Sequence, residues 1–486
     1  MIRKMGVSNR IREIEREIDA EIRALPIWYR SKATVLTDLM QSYRDVMEIL
    51  FLEFLFFETH ASALDLSADH VGTLFVQENR HRAGTLWALK WASEFCPESG
   101  SVETSTPDEL FSLTSLGADY ESFVDTLKYA NHDLIEIKID EQSRTINCYE
   151  GQQATQSDSD IVYQQRLTAP ASPQISLTDD SDQVTSRWTA GDYRRVITDF
   201  ASYAADKENE IFVDAAYLGQ PGKSAASIPQ PTLVWLDRPI ALPDCDVFDD
   251  LVLHTSADPG SNWKLVALLD TPIVKVGDKY CALSSDLKAL SRIDDYMLRL
   301  AGRVDERQYT LAAGLREQRM ITRCRETFER CTPSWTVRDS VRYSNPEQEA
   351  DILASRNAVT LVLELKSTLR PETPWESFKR NESIIYGVKQ AKGLIDRGVA
   401  EYGFVISDGY RGDYSCWAEA LSTSTPIGTL DDLAQIASDH VGAVSALKGK
   451  VGITGDSLHS HERLPDREAN LGGWKFRLLD MEAPQE

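Results

Sequence analysis

Three side chains between residues 351 and 366 have the types and the spacing that metal-assisted hydrolysis requires. Asp351 lies thirteen residues before Glu364, and Lys366 follows Glu364 by two positions. Carboxylate oxygens are the ligands that Mg²⁺ and Mn²⁺ prefer. A lysine beside them positions or activates a water molecule and offsets the charge that develops on a phosphate. The three residues therefore predict a site for metal-assisted hydrolysis of a phosphodiester.

The residues around this trio predict two paired strands. Residues 359–366 read VTLVLELK, an aliphatic run that is typical of a central strand buried on both faces. With the two-residue period of a strand, Glu364 and Lys366 project from one face at its end. A turn signal at 355–357 indicates a hairpin, which would bring Asp351 next to Glu364. The alternative is that Glu364 and Lys366 form a simple ion pair at a strand end.

The order Asp…Glu-x-Lys resembles that of the PD-(D/E)xK nuclease superfamily, which has a restriction-endonuclease-like fold. The elements predicted around it follow the αβββαβ order of that fold. They are a helix at 311–331, the strands WTVRDSVRY, EADILAS and VTLVLELK, a helix at about 375–397 and the strand YGFVIS. The resemblance covers about a quarter of the chain, all of it C-terminal. Ala350 replaces the proline of the literal motif, which leaves the aspartate ligand unchanged.

The resemblance implies an enzyme, a nuclease that depends on Mg²⁺, for which Mn²⁺ can substitute. Asp351, Glu364 and the backbone carbonyl of Leu365 would hold the metal, and Lys366 would position the water nucleophile. It also implies that nucleic acid is the partner, with DNA favoured over RNA.

The first predicted helix adds Glu317 as a candidate catalytic residue and metal ligand. Many relatives carry a helix glutamate near the metals, and Glu317 is aligned with an apolar stripe that should face the core. The alternative is a glutamate that only stabilises the first turns of the helix. The stripe consists of Ile321, Cys324, Phe328 and Cys331.

The second predicted helix adds Gln390, which resembles a polar residue that faces the site in the superfamily. The same helix carries an aromatic residue and four cations that are expected to meet nucleic acid. Taken singly, each of these residues is also compatible with a solvated position on the helix surface. The predicted nucleic-acid contacts are Lys379, Arg380, Tyr386, Lys389 and Lys392.

Charge restricts where nucleic acid can bind. The 486 residues include 76 acidic and 52 basic side chains, for a formal net charge of −24. Such a surface resists non-specific binding to nucleic acid and anionic lipid, so any nucleic-acid site must be local. Residues 301–400 contain 17 basic and 14 acidic side chains and are the exception.

The predicted fold class is multidomain α+β and α/β. Residues 1–150 are expected to form a mostly helical domain that ends in a β-hairpin, and 151–187 a polar linker or long loop. Residues 188–300 are predicted to be a mixed α/β region. The nuclease-like domain would span 301–440, and 441–486 would be a C-terminal extension.

Other features of the chain favour a cytoplasmic protein without a membrane partner. Seven scattered cysteines with no CxxC pair are typical of thiols in a reducing compartment. The charged N-terminus does not resemble a secretion signal. The apolar run at 46–57 is too short for a membrane span and contains two glutamates.

The leading hypothesis is a nuclease that the N-terminal region regulates or targets, as in genome defence or DNA processing. The alternative is a catalytically inactive module that keeps the nuclease fold and binds nucleic acid or acts as a scaffold. The acidic N-terminal region could also dock to a protein partner, and a homo-oligomer is compatible with the sequence.

Overall fold

The computed structural model of the chain has mixed α+β architecture, with a helical N-terminal region and sheets in the C-terminal part. This confirms the predicted mixed class at that level. Two compact units are distinguished: one comprises 1–162, 194–291 and 464–486, the other 163–193 and 292–463. The structure describes residues 2–46, 49, 68–131, 135–150, 177–213, 226–230, 232–236, 250–251, 273–276, 279–284, 297–299, 302, 306–343, 348–367, 374–408, 410–412, 414–450 and 467–480.

Long helices form the framework of the described part of the first unit. Among them are α1 (Ile2–Arg23), α2 (Ala68–Phe95) and α3 (Pro107–Asn131). Isoleucines at positions 11, 14, 18 and 22 recur every three or four residues, and all four are buried along α1. Trp87 and Trp91 of α2 pack edge-on against Tyr120 of α3, with ring centroids 4.7 and 5.4 Å apart.

A four-stranded sheet packs on these helices, and its strands come from both ends of the chain. The predicted hairpin is present as β1 (Ile135–Asp140) and β2 (Thr145–Glu150), which are antiparallel. The strands β13 (Arg467–Leu471) and β14 (Trp474–Asp480) complete the sheet, in the order β1-β2-β14-β13. β14 lies parallel to β2, and its Trp474 and Phe476 join the same core as Ile146.

The unit boundaries differ from the predicted ones in three places, the first being the predicted linker 151–187, whose described residues from 177 onward belong to the second unit. The predicted extension 441–486 is divided, since 467–480 belongs to the first unit and a helix at 440–450 packs in the second. Most of 188–300 belongs to the first unit, where Val274 and Cys281 join the helical core. Residues 151–176 of the predicted linker, and nearly all of the apolar run at 46–57, lie outside the described residues.

In the described part of the middle region, the remaining elements are one helix and two small sheets. They are α4 (Ala190–Lys207), β3 (Asn209–Val213), β4 (Ala226–Gln230), β5 (Leu233–Leu236), β6 (Val274–Val276) and β7 (Lys279–Leu283). β3 pairs with β4, and β7 lies between β5 and β6.

The second unit contains a five-stranded sheet between helices. The described elements of this unit, in chain order, are α5 (Glu306–Glu329), β8 (Thr336–Tyr343), β9 (Gln348–Arg356), β10 (Val359–Lys366), α6 (Pro374–Asp396), β11 (Tyr402–Ser407), α7 (Tyr414–Thr423), β12 (Ile427–Thr429), α8 (Leu433–Ser438) and α9 (His440–Lys450). The strand order is β12-β11-β10-β9-β8, in which β8, β9 and β10 are antiparallel and β11 and β12 are parallel to β10.

Helices cover both faces of this sheet, which explains the continuous apolar run of β10. Leu361 and Leu363 pack on the face that contacts Phe328 of α5. Val362, which points the other way, packs against Ala391 of α6. The end of β10 therefore presents one side chain toward α6 and the next toward α5.

The segment at 177–193 is fixed to α5 within the second unit. Leu177 joins the core under α5, and its carbonyl accepts a hydrogen bond of 2.9 Å from Arg319. The guanidinium of Arg319 also pairs with Asp182 and with Asp179. Within the described part of the chain, no helix combines the length and apolar composition needed to cross a membrane.

Two glycines permit the close crossing of α2 and α3, and this crossing is testable. A Cβ at Gly84 would overlap the carbonyl of Thr114, and a Cβ at Gly117 would overlap the carbonyl of Gly84. We expect Gly84→Ala to lower the free energy of unfolding by about 1–3 kcal/mol or more, because the backbone must shift. Urea unfolding followed by circular dichroism measures this change.

The matched control is Gly314→Ala on α5, where nothing lies within 4 Å of the added methyl group. This variant should be stabilised by about 0.5–1 kcal/mol, since alanine loses less backbone entropy in a helix. Equal effects of the two substitutions would contradict the close crossing.

Candidate metal centre and active site

Asp351 is brought to the end of β10 by a local break in strand pairing. The register of β9 with β10 ends at Leu363, which pairs with Ile352. One residue further, the carboxylate of Asp351 accepts a hydrogen bond of 2.7 Å from the backbone N–H of Leu365. On the other side of β9, Ser340 lies opposite Asp351 and has a positive φ of 48°. The side chain of Asp351 therefore takes the place of a main-chain acceptor for the Leu365 N–H. This hydrogen bond holds the Asp351 carboxylate beside Glu364.

Glu364 is fully buried, and neither of its carboxylate oxygens accepts a hydrogen bond from any described residue. Burial, together with the negative charge of Asp351, raises the pKa of this carboxyl to about 9, against the opposing effect of Lys366. At neutral pH Glu364 is therefore protonated in the absence of a cation. A buried carboxylate without a donor is costly unless a cation compensates it.

Lys366 lies between Glu364 and α6. Its Nζ is 3.7 Å from Glu364 Oε2 and donates a hydrogen bond of 3.2 Å to Gln390 Oε1. Gly387 makes this approach possible, because a Cβ there would lie 2.6 Å from Lys366 Cε. The helix thus packs directly on the lysine stem, and Gln390 determines where the ammonium group lies.

The structure consequently brings together four of the predicted site residues: Asp351, Glu364, Lys366 and Gln390. The Leu365 peptide is part of the same group through its N–H. Tyr386, one turn before Gln390, is also adjacent, since its ring centroid is 5.9 Å from Lys366 Nζ.

Glu317 is not in this group. Its side chain is exposed, and the buried residue at this level of α5 is the neighbouring Arg316. The buried stripe runs through Met320, Cys324 and Phe328, at intervals of four residues, so it reaches Arg316 rather than Glu317. Among the described residues, no group of three or more His, Cys, Asp or Glu side chains is arranged to hold a metal ion.

Arg316 supports the strand ends from the opposite face of the sheet. Its Nε donates a hydrogen bond of 2.7 Å to Asp408, which follows β11. The same carboxylate oxygen accepts a hydrogen bond of 3.1 Å from the hydroxyl of Ser367, the residue after Lys366. Sequence reasoning missed these three residues. The polar side chains directly after the strand ends, Ser367 and Asp408, were the available signal.

The predicted nucleic-acid contacts on α6 differ in their surroundings. Lys379 pairs with Glu382, and Lys392 pairs with Asp396, both within the helix. Lys389 is exposed. In the same helix, Arg380 is half-buried and Tyr386 is 62% exposed.

Comparisons with known proteins add little. No family model matches the chain. No curated protein matches it either. The crystal structure of protein VC1899 from Vibrio cholerae is similar, with 12% identity, coverage of 82% of this chain and 90% of that chain, and a TM-score of 0.17. A likeness at this TM-score carries no conclusion about fold or function.

The raised pKa of Glu364 predicts a pH-dependent stability. Between the ordinary pKa of 4.5 and about 9, the folded chain binds a proton at Glu364 that the unfolded chain does not. The contribution of this proton to the free energy of unfolding is complete below the ordinary pKa and is lost as the pH rises through about 9. In EDTA, the titration of Glu364 should lower the free energy of unfolding by up to about 1.4 kcal/mol for each pH unit between these two pKa values.

Glu364→Gln removes the titrating proton, so its stability should vary less with pH than that of the wild type. Glu349→Gln, on the same sheet, should keep the wild-type slope. Urea unfolding across the pH range distinguishes the three proteins. Parallel profiles for the wild type and Glu364→Gln would contradict the buried protonated carboxyl.

The Arg316–Asp408 pair predicts a large loss of stability. The two side chains are 6% and 1% exposed, so Arg316→Met leaves a buried carboxylate without its cation. We expect a cost of about 3–5 kcal/mol. Arg325→Met is the control on the same helix, because Arg325 and Asp339 are about two-fifths exposed, and should cost about 1 kcal/mol or less. Thermal unfolding of the two variants tests this difference.

Proposed function

We propose that this chain is a metal-dependent nuclease that hydrolyses phosphodiester bonds through Asp351, Glu364 and Lys366. The observation that carries the proposal is the buried carboxyl of Glu364, which lacks a hydrogen-bond donor among the described residues and lies beside a second carboxylate and a lysine. A buried carboxyl with a strongly raised pKa, next to a second carboxylate and a lysine, is typical of functional sites. If Glu364 and Lys366 were an ion pair that only stabilised the fold, a second carboxylate from Asp351 would not be needed beside them.

The order of elements supports a restriction-endonuclease-like core. The helix α5 is followed by the antiparallel β8, β9 and β10, then by α6 and the parallel strand β11. This is the αβββαβ order that the PD-(D/E)xK superfamily uses, and the motif residues lie on the second and third strands, as in that superfamily.

The donor set fits Mg²⁺, with Mn²⁺ as a substitute. Mg²⁺ is commonly held by one or two carboxylates, with substrate phosphate and water completing its coordination. Asp351 and Glu364 would be those two carboxylates, and the carbonyl of Leu365 is the further ligand that the resemblance implies. The chemistry that the ion supplies when bound is Lewis-acid polarisation of the phosphate and acidification of the attacking water.

The chain's own residues have separable tasks. Glu364 must release its proton before its oxygens can bind a cation, so cation binding should be coupled to proton release. Lys366 Nζ, held by Gln390 Oε1, is placed to orient the attacking water and to offset negative charge on the phosphate. Asp351 has its carboxylate oriented by the hydrogen bond that it accepts from the Leu365 N–H.

The remaining assignments rest on sequence reasoning. DNA is the proposed substrate and RNA the alternative. The first unit would regulate or target the nuclease, in genome defence or DNA processing, and its acidic region is a candidate surface for a protein partner. The reducing cytoplasm is the proposed location, in keeping with six free cysteines among the described residues.

Substitution of the three central residues tests the proposal. Asp351→Ala, Glu364→Gln and Lys366→Ala should each lower cleavage by at least about 100-fold, because each removes a group needed at the reacting phosphate. Plasmid, linear and single-stranded DNA and RNA are incubated with Mg²⁺, Mn²⁺ or EDTA, and products are resolved on gels. Glu349→Gln is the matched control and should cleave like the wild type.

Full activity of Lys366→Ala would contradict the mechanism. Binding of nucleic acid without cleavage by the wild type, and without Mg²⁺ binding in calorimetry, would identify the inactive binding module instead. A truncation that begins near residue 300 and behaves like the full chain would contradict a regulatory first unit.

A further inference from the structure

An aromatic ring stands at the edge of the candidate active site. Tyr386 is 62% exposed and is one of the most exposed aromatic side chains in the described part of the second unit. On α6 it directly precedes Gly387, against which the stem of Lys366 packs, and it lies one turn before Gln390. Its place beside the lysine is therefore determined by helix packing rather than by a flexible loop.

One lysine contacts the ring, and a second is its neighbour on the helix surface. Lys366 Nζ lies 5.9 Å from the ring centroid on the side of the site. Lys389, three residues along α6, shares this side of the helix and is exposed. Lys379 and Lys392, by contrast, pair with acidic residues of the same helix. An exposed ring with lysines beside it offers a face on which a base can stack and cations that can meet the adjoining phosphates.

From this arrangement we propose that Tyr386 is a stacking platform for a nucleobase and that the substrate is single-stranded at the cleavage point. The inference rests on the proposed nuclease function and specifies its substrate. A base inside a duplex is stacked on both faces and turned inward, so it cannot reach a ring on the protein surface unless it leaves the stack. A single strand offers its bases at no such cost.

Overall charge makes stacking more important here. With a net charge of −24, the chain gains little long-range attraction for a polyanion. Proteins that bind single strands combine local cations with aromatic stacking, which tolerates any sequence because each base has a π face. We therefore expect weak dependence on base identity and strong dependence on the ring.

Binding in EDTA tests the ring without requiring turnover. Fluorescence anisotropy measures the affinity of the full chain for a dye-labelled single-stranded DNA, the corresponding RNA, and a blunt duplex of the same sequence. Tyr386→Ala should weaken single-strand binding by roughly 5- to 150-fold, the range expected for loss of one base–aromatic stack. Tyr386→Phe keeps the ring and should bind within about twofold of the wild type.

A 2-aminopurine base in the strand reports stacking directly. Its fluorescence should be quenched on binding to the wild type and to Tyr386→Phe but not to Tyr386→Ala. The control for loss of an exposed tyrosine is Tyr29→Ala in the first unit, where the residue is 76% exposed. This variant should leave both signals unchanged.

Two results would overturn the stacking proposal: single-strand binding by Tyr386→Ala equal to that of the wild type, or equal losses on the duplex and the single strand. Cleavage with Mg²⁺ separates this failure from failure of the nuclease proposal. If the wild type cleaves and Tyr386→Ala cleaves single strands equally well, stacking is wrong and the nuclease stands. If the wild type cleaves nothing while the anisotropy and quenching results hold, the ring binds single strands and the nuclease proposal fails.

Discussion

The burial of one carboxyl group, that of Glu364, is the constraint on which the candidate site depends. The side chain lies at the end of a strand whose two faces are covered by helices, so water does not solvate it. Its position beside Asp351 adds a second negative charge, and Lys366 only partly offsets the two. A proton on Glu364 relieves this repulsion in the absence of a cation. In the proposed metal site a divalent cation would have to displace that proton, so binding would depend on pH.

The two faces of the five-stranded sheet carry different groups at the ends of β10 and β11. Alternation along β10 directs Glu364 and Lys366 toward α6, while Ser367 faces α5 and the buried pair of Arg316 with Asp408. One face therefore carries the groups that would meet substrate, and the other carries a charged network that ties together the ends of β10 and β11. A substrate group approaching Lys366 would meet side chains whose backbone is held in place by this network on the opposite face of the sheet. Such fixed positions are what preorganisation requires.

Helix α5 and the C-terminal strands show where sequence patterns are insufficient. Both Glu317 and Arg316 are compatible with an apolar stripe read at intervals of three and four, because a helix stripe is broad. Packing against β10 and β11 selects Arg316, since Asp408 provides it with a partner. The strands at 467–480 are a second example. The alternation of their residues can be read locally, but the parallel pairing of β14 with β2 joins residues more than three hundred positions apart.

The sequence by itself determined which side chains share a strand face, where the hairpin at 135–150 forms, and that an aspartate would lie near a glutamate–lysine couple. These follow from backbone periodicity and turn chemistry within a few residues. Only the tertiary structure decided that Glu364 is left without a hydrogen-bond donor among the described residues, that Gly387 admits the stem of Lys366, and that Arg316 rather than Glu317 is buried. Such features depend on how distant elements pack, and packing free energy is summed over contacts that no local pattern contains.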